Sequence, residues 1–253
     1  MALALHSASL SYAGAVVSCP TRAAAPAMET LDDLKDLAKS CNPSIGFYDP
    51  LGFATISDSG EQGVATIGWL RHAEIKHGRV AMAAFVGFCV QSNGIVFPWD
   101  LTGDGISFAQ IAAAGGPGDQ WDALPTSAKL QILGFVGFLE MLSETSYFLE
   151  EAGEKHYVMG GKPGFYPPFS AISLPHPVPL DLWDPVGFTK NASPEKKERG
   201  RLIEINNGRL AMLGLFGFLS ESKVPGSVPA LGGIALPYDG DYMAPFAADF
   251  HIF

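Results

Sequence analysis

Glu74, His77 and Arg79 stand close together in an apolar stretch, EIKHGRVAMAAFVGF at residues 74–88, and the pattern returns as EINNGRLAMLGLFGF at 204–218. Eight of the fifteen positions are identical, including the Glu, the Gly-Arg, the Ala-Met and the Gly-Phe. Charges beside apolar runs are costly unless they are paired. Within one helix Glu74 and Arg79 lie about 140° apart around the axis, so they do not face each other. If the two repeats cross, Glu74 can meet Arg209 and Glu204 can meet Arg79. Each pair is then neutral and bridges two helices. A carboxylate held this way keeps a lone pair, and His77 and Asn207 stand one turn further along. Such donors suit the open axial position of a metal ion already held in a macrocycle. The competing reading is a buried salt-bridge cross with no ligand. The second copy, again with His or Asn three residues after the Glu, favours the ligand.

Placing these residues requires two long helices, predicted over about 68–92 and 200–222, with a third over about 126–149 between them. Hydropathy alone supports one membrane span. Val80 to Phe97 gives 18 residues without a charge, close to the length that crosses a bilayer, whereas Leu210–Ser220 gives 11 and Leu130–Leu139 only 10. Loop charges add a second argument. Residues 93–128 contain no Lys or Arg but carry Asp100, Asp104, Asp119 and Asp122; 149–200 carries Lys155, Lys162, Lys190, Lys196, Lys197 and Arg199. After Lys223 come Asp239, Asp241 and Asp249 and no further Lys or Arg. That alternation fits three spans with the N-terminus and second loop on the basic side, the first and third helices running parallel. The small residues Gly78, Ala81 and Gly87, matched by Gly208, Ala211 and Gly217, permit close approach of the pair.

The rest of the chain sets limits. It is 47% hydrophobic and only 17% charged, apolar for a soluble protein, and its net charge of −10 argues against nucleic acid. Cys19, Cys41 and Cys89 show no metal-ligand spacing. Residues 1–28 are rich in Ala and Ser with a single Arg22 and no acid, which reads either as a targeting remnant or as a flexible tail. Residues 29–253 read as one pseudo-symmetric domain. Met28–Ser40 has the period of a short amphipathic helix, lying on a membrane surface or against its own chain. Trp99 and Trp121 sit in a Gly- and Asp-rich loop as candidate interface aromatics. The second loop, 150–200, is Pro- and Gly-rich, and its PHPVP segment reads as an extended strap. Asp49-Pro50 and Asp184-Pro185 are turn signals, each upstream of one repeat.

ExxHGRxAM followed by ExxNGRxAM resembles the signature of the light-harvesting chlorophyll-binding antenna family of plastids. FYDPLGF (47–53) and LWDPVGF (182–188) resemble that family's paired carotenoid-binding turns. The likeness runs from about residue 45 onward, and HYVMGGKPGFYPPF and the ending YMAPFAADF look most similar to the chlorophyll a/c antennae of red-lineage algae, among them the dinoflagellate peridinin type linked to photosystem I. The resemblance implies an all-α membrane fold of three transmembrane helices, the first and third crossed as a pseudo-two-fold pair, with short amphipathic helices and long loops. Chlorophyll magnesium, a hard cation with four ring nitrogens, takes a fifth ligand of N or O type. By the family pattern those ligands are Glu74, His77, Glu204 and Asn207, with Arg79 and Arg209 as charge partners. The family's middle helix supplies a Gln and a Glu, matched here by Gln131 and Glu140, about 180° apart on the helix. Glu144 reads as an aqueous-end residue. Glu221 stands where green-lineage relatives carry Gln, and its role as a ligand lacks an obvious Arg partner. His72, His156, His176 and His251 are further imidazoles, each more simply read as a loop or interfacial histidine. Asp49, Pro50, Asp184 and Pro185 would set the turns beside two carotenoids.

The implied function is an antenna. It would hold chlorophyll a, chlorophyll c and carotenoids of the peridinin or fucoxanthin and diadinoxanthin types, and pass excitation to a photosystem, photosystem I in this reading. Its setting would be the plastid thylakoid membrane, with stromal N-terminus and lumenal C-terminus, among the photosystem core, neighbouring antenna subunits and lipid. Such a protein is not an enzyme, and the chain carries no nucleophile–base or phosphate-loop motif. Two other readings stand beside it: a photoprotective quencher of the same fold, and, more remotely, a small intramembrane proton or ion transporter using Glu and His.

Overall fold

Thr30 caps the first helix by closing a capping box: its hydroxyl accepts from the Asp33 amide at 3.3 Å while the Asp33 carboxylate accepts from the Thr30 amide at 2.9 Å. The computed structural model describes residues 30–56, 61–103, 105–172 and 184–246. Helix α1, Leu31–Cys41, follows that cap and packs against the last long helix. The candidate targeting stretch, the PHPVP strap, Asp104, Trp183, His176 and His251 lie outside the described residues.

Helix α2 runs Glu61–Ser92, 32 residues, starting seven residues before its predicted onset. It stops where Gly94 takes a left-handed φ of 65° and the Ile95 amide reaches back to the Val90 carbonyl, a glycine-terminated helix end. The charge-free run Val80–Phe97 is therefore not one span, because its last five residues lie beyond the helix. Two short helices, α3 (Phe108–Ala112) and α4 (Pro117–Asp122), fill the first loop. Helix α5 covers Thr126–Glu144 and breaks at Thr145, whose ψ of 117° is extended, before the short α6 (Ser146–Glu151). The single helix predicted to 149 is thus two pieces. Helix α7, Pro194–Lys223, starts six residues earlier than predicted because Ser193 accepts from the Lys196 amide and Pro194 occupies the first turn.

Helices α2 and α7 form the main packed pair. They cross at Gly78 and Gly208, where a Cβ added to either would lie 3.0 Å from the other's Cα. Beyond the crossing, Phe218 stacks on Phe88 at 4.9 Å and leans on Phe85 at 5.2 Å. Helix α5 meets this pair near its C-terminal end, where Leu142 and Ser143 are buried. Along its length Leu130, Phe135, Val136 and Met141 are exposed, and Gly134 and Gly137 face open space. Val80 and Val86 of α2 and Leu210, Leu213 and Phe216 of α7 are likewise exposed. Despite this apolar exterior, no helix among the described residues is long and apolar enough to cross a membrane. Arg71, His72, Glu74, Lys76 and Arg79 crowd the middle of α2, and Glu, Lys and Arg fill the first turns of α7, so the expectation of three spans does not follow from helix composition.

Candidate functional site

The crossing brings the two repeats' charges together. Arg79 Nε donates to Glu204 Oε1 at 2.5 Å, and Arg209 Nε donates to Glu74 Oε1 at 2.7 Å. Both carboxylates are a quarter exposed. The two halves are not equivalent. Glu74 is also gripped at Oε2 by Arg71, a residue only 4% exposed, so both of its oxygens have guanidinium partners. Glu204 has Arg79 at Oε1 and no protein partner at Oε2 among the described residues. Arg79 further donates through its NH1 to the Gly164 carbonyl at 2.6 Å, tying the second loop to the crossing. Arg71 escaped the sequence reading, although the signal was there: Arg201 precedes Glu204 by the same three residues, so the repeat extends one turn upstream.

His77 and Asn207 are exposed on their helices. The His77 Nδ1 lies 2.7 Å from the Ala73 carbonyl and donates to it, which leaves the Nε2 lone pair pointing away from the helix. That is the tautomer a metal held in a macrocycle requires. Gln131 is exposed on α5, and Glu140, 53% exposed at its side chain, accepts from Lys76 Nζ at 2.6 Å through Oε2. Among the described residues no three His, Cys, Asp or Glu side chains converge as a cage for a bare ion. The donors stand singly, each beside exposed apolar side chains, and so fit a metal whose other ligands arrive with it.

Other candidates have different work. His72 is 5% exposed; its Nδ1 accepts from the Gly164 amide at 3.1 Å, so its Nε2 carries the proton and donates to Glu144 at 3.0 Å. Both nitrogens are engaged within the protein, and His72 is a structural histidine. Glu144, read from the sequence as an aqueous-end residue, is instead a hub. It accepts from His72, from Lys76 Nζ at 2.8 Å and from the Tyr157 hydroxyl at 2.9 Å, with His156 Nε2 at 3.4 Å. Burial and this acceptor push the Tyr157 hydroxyl up to about 12. Glu221 is corrected as well. It is 3% exposed, and its two oxygens accept the Gly226 and Val228 amides, each at 2.8 Å. Its carboxylate closes the turn after α7 and offers no outward donor. Lys223, two residues on, donates to the Asp239 and Gly240 carbonyls. Trp121 is half-buried. Its indole donates to the Pro245 carbonyl at 2.9 Å and lines, with Phe88, Leu219, Tyr238 and Tyr242, a groove of about 420 Å³ at the far end of the helix pair.

The two Asp-Pro turns share one geometry. Asp49 accepts the Phe53 and Ala54 amides at 3.0 and 2.9 Å, and Asp184 accepts the Phe188 and Thr189 amides, both at 2.6 Å. Gly52 and Gly187 close each turn in the left-handed region, with φ of 67° and 79°. Those amides are thus held by the aspartates, so the turns offer carbonyls rather than these N–H groups to a neighbour. The Thr189 hydroxyl and the backbone amides hold the Asp184 carboxyl below the usual carboxylate range.

Residues 33–223 match the family model described as chlorophyll A-B binding protein. The chain belongs to that family. The match starts inside α1 and ends with α7, so the crossing, the Asp-Pro turns and α5 all lie within it. Among curated relatives, a fucoxanthin-chlorophyll a-c binding protein of Trieres chinensis is 33% identical over 195 residues, 75% of this chain and 80% of its own length. The corresponding protein F of Phaeodactylum tricornutum is 31% identical over 72% of this chain and 76% of its own. Protein F of Macrocystis pyrifera is 29% identical over 71% of each. These three relatives are named as chloroplastic proteins that bind chlorophyll a-c and fucoxanthin.

Proposed function

We propose that this protein is a light-harvesting antenna of the thylakoid membrane that binds chlorophyll a, chlorophyll c and fucoxanthin-type carotenoids. The observation that carries the reading is the crossing itself: two neutralised carboxylates and an outward imidazole Nε2, set among apolar side chains that are exposed among the described residues. Glu204, His77, Asn207, Glu140 and Gln131 would each give one axial donor to a chlorophyll magnesium, with Glu74 in the same role between Arg209 and Arg71. Bound chlorophyll supplies the absorbing chromophore and the excited state that moves to its neighbour, while carotenoid adds blue-green absorption and quenches triplets. The chain's own part is positional. The Gly78–Gly208 contact fixes the angle between α2 and α7, the arginines remove the cost of bringing carboxylates into an apolar layer, and the Asp-Pro turns set where each approach loop ends.

Three helices, α2, α5 and α7, would be embedded, with lipid and pigment covering the surfaces that composition leaves short of an ordinary span. The basic second loop and the N-terminus would be stromal and the C-terminus lumenal. Photosystem I as the energy acceptor and a peridinin-type carotenoid are finer proposals that rest on the red-lineage motifs. A transporter gains no support at the crossing: the void lined by Glu74, Gly78, Glu204 and Gly208 holds about 10 Å³, too little for a water-filled path. Refolding the chain with chlorophylls a and c and fucoxanthin tests the proposal. Induced excitonic circular dichroism and carotenoid-to-chlorophyll energy transfer are the expected results, and folded, pigment-free protein would overturn it.

A further inference from the structure

Glu140 sits on a helix that cannot neutralise it. The one basic residue of α5 is Lys129, eleven positions away or about 16 Å along the axis, and its Nζ donates to the Asp122 carbonyl. The cation that reaches Glu140 comes instead from α2. Lys76 Nζ lies 2.6 Å from Glu140 Oε2, 2.8 Å from Ser143 Oγ and 2.8 Å from Glu144 Oε1. The two carboxylates stand one turn apart on the same face of α5 and would repel each other without it. They divide the task. Glu144 is saturated by His72, Tyr157 and Lys76, and so acts as the fixed anchor of the ammonium. Glu140 has Lys76 at Oε2, no protein partner at Oε1 among the described residues, and a side chain 53% exposed beside the open space at Gly137. The repeat shows that this device belongs to one half only: the position matching Lys76 is Asn206, which donates to the Cys41 carbonyl of α1.

We propose that Lys76 is the cross-helix counter-charge of Glu140, holding its Oε2 so that Oε1 serves a tetrapyrrole magnesium as axial ligand. It does for α5 what Arg209 does for Glu74. The inference rests on the antenna reading, and its test separates the two. Full-length chain, K76M, K76R, E140Q, E140L and the double variant K76M/E140Q are refolded with chlorophylls a and c and fucoxanthin. Chlorophyll per chain is read by pigment chromatography, and helicity by circular dichroism. K76M and E140L each lose about one chlorophyll per chain and the same absorption band, while K76R keeps the full complement and E140Q serves as the reference for the double variant. The double variant regains the lost pigment, because a neutral amide oxygen ligates without a counter-ion. A lysine that merely glued α5 to α2 would not be rescued by E140Q. A full complement in K76M, or no recovery in K76M/E140Q whether or not K76M folds, overturns the role of Lys76 alone. Folded wild-type chain without any chlorophyll overturns the antenna reading and this one with it.

Discussion

Gly78 and Gly208 touch backbone to backbone, 130 positions apart, so that neither can carry a Cβ without displacing the other's Cα. Every donor at the crossing is positioned by this contact. Replacing Gly78 with Val is expected to cost about 1–3 kcal/mol through overpacking. It should also lengthen both Arg–Glu pairs, so chlorophyll content and melting temperature fall together. Pigment analysis alongside a thermal melt checks this. A variant that melts as wild type would show that the helices can separate without penalty.

The unequal holding of the two carboxylates predicts unequal mutants. Arg79→Leu removes the protein partner of Glu204 and releases the Gly164 carbonyl as well. Arg209→Leu leaves Glu74 still paired with Arg71. Since the pairs are partly exposed, the loss lies between that of surface and buried ion pairs, about 2 kcal/mol for R79L and about 1 kcal/mol for R209L. Parallel denaturant melts of refolded protein decide the order. Equal effects would contradict the asymmetry.

His77 and His72 are expected to separate pigment binding from folding. His77→Leu should lose about one chlorophyll per chain with little change in stability, because its protein bond is to its own helix. His77→Asn should keep that pigment, as Asn207 does in the other repeat. His72→Leu strands the Gly164 amide and one donor to Glu144 and should cost about 1–3 kcal/mol. Pigment stoichiometry and melts on the three variants provide the comparison.

The Asp184 turn has a pH dependence of definite sign. Its folded value is depressed below the ordinary 3.8, first by the Thr189 hydroxyl and then by backbone amides. The turn is therefore fully stabilised above about pH 4, and it loosens as pH falls through the depressed value, where the carboxylate takes up a proton. Protection of the Phe188 and Thr189 amides, taken relative to intrinsic exchange at each pH, should fall only in that acid window. In Asp184→Asn the acid dependence should vanish.

Much of the crossing was legible before any coordinates. A spacing of five positions from Glu74 to Arg79 excludes pairing within one helix, and a second copy supplies the complementary partners, so Arg79 to Glu204 and Arg209 to Glu74 followed from helix geometry once the repeats cross. The helix boundaries were less legible. Capping at Ser193 and the extended Thr145 move element ends by several residues, since a single side-chain hydrogen bond decides whether one more turn forms. The proposed membrane insertion has no counterpart in apolar run length, because charges interrupt α2, among them Glu74 and Arg79, which pair across the crossing.

The repeat, its charges and the Asp-Pro turns are written in the order of residues, because helical period and turn chemistry are local properties. Which carboxylates remain available to a ligand was decided by folding. Glu221 and Glu140 look alike along the chain, yet one ends with both oxygens on backbone amides and the other beside a lysine from another helix. Availability depends on which donors fold back onto an oxygen, and those donors come from segments up to 135 positions away, as Arg209 and Glu74 show.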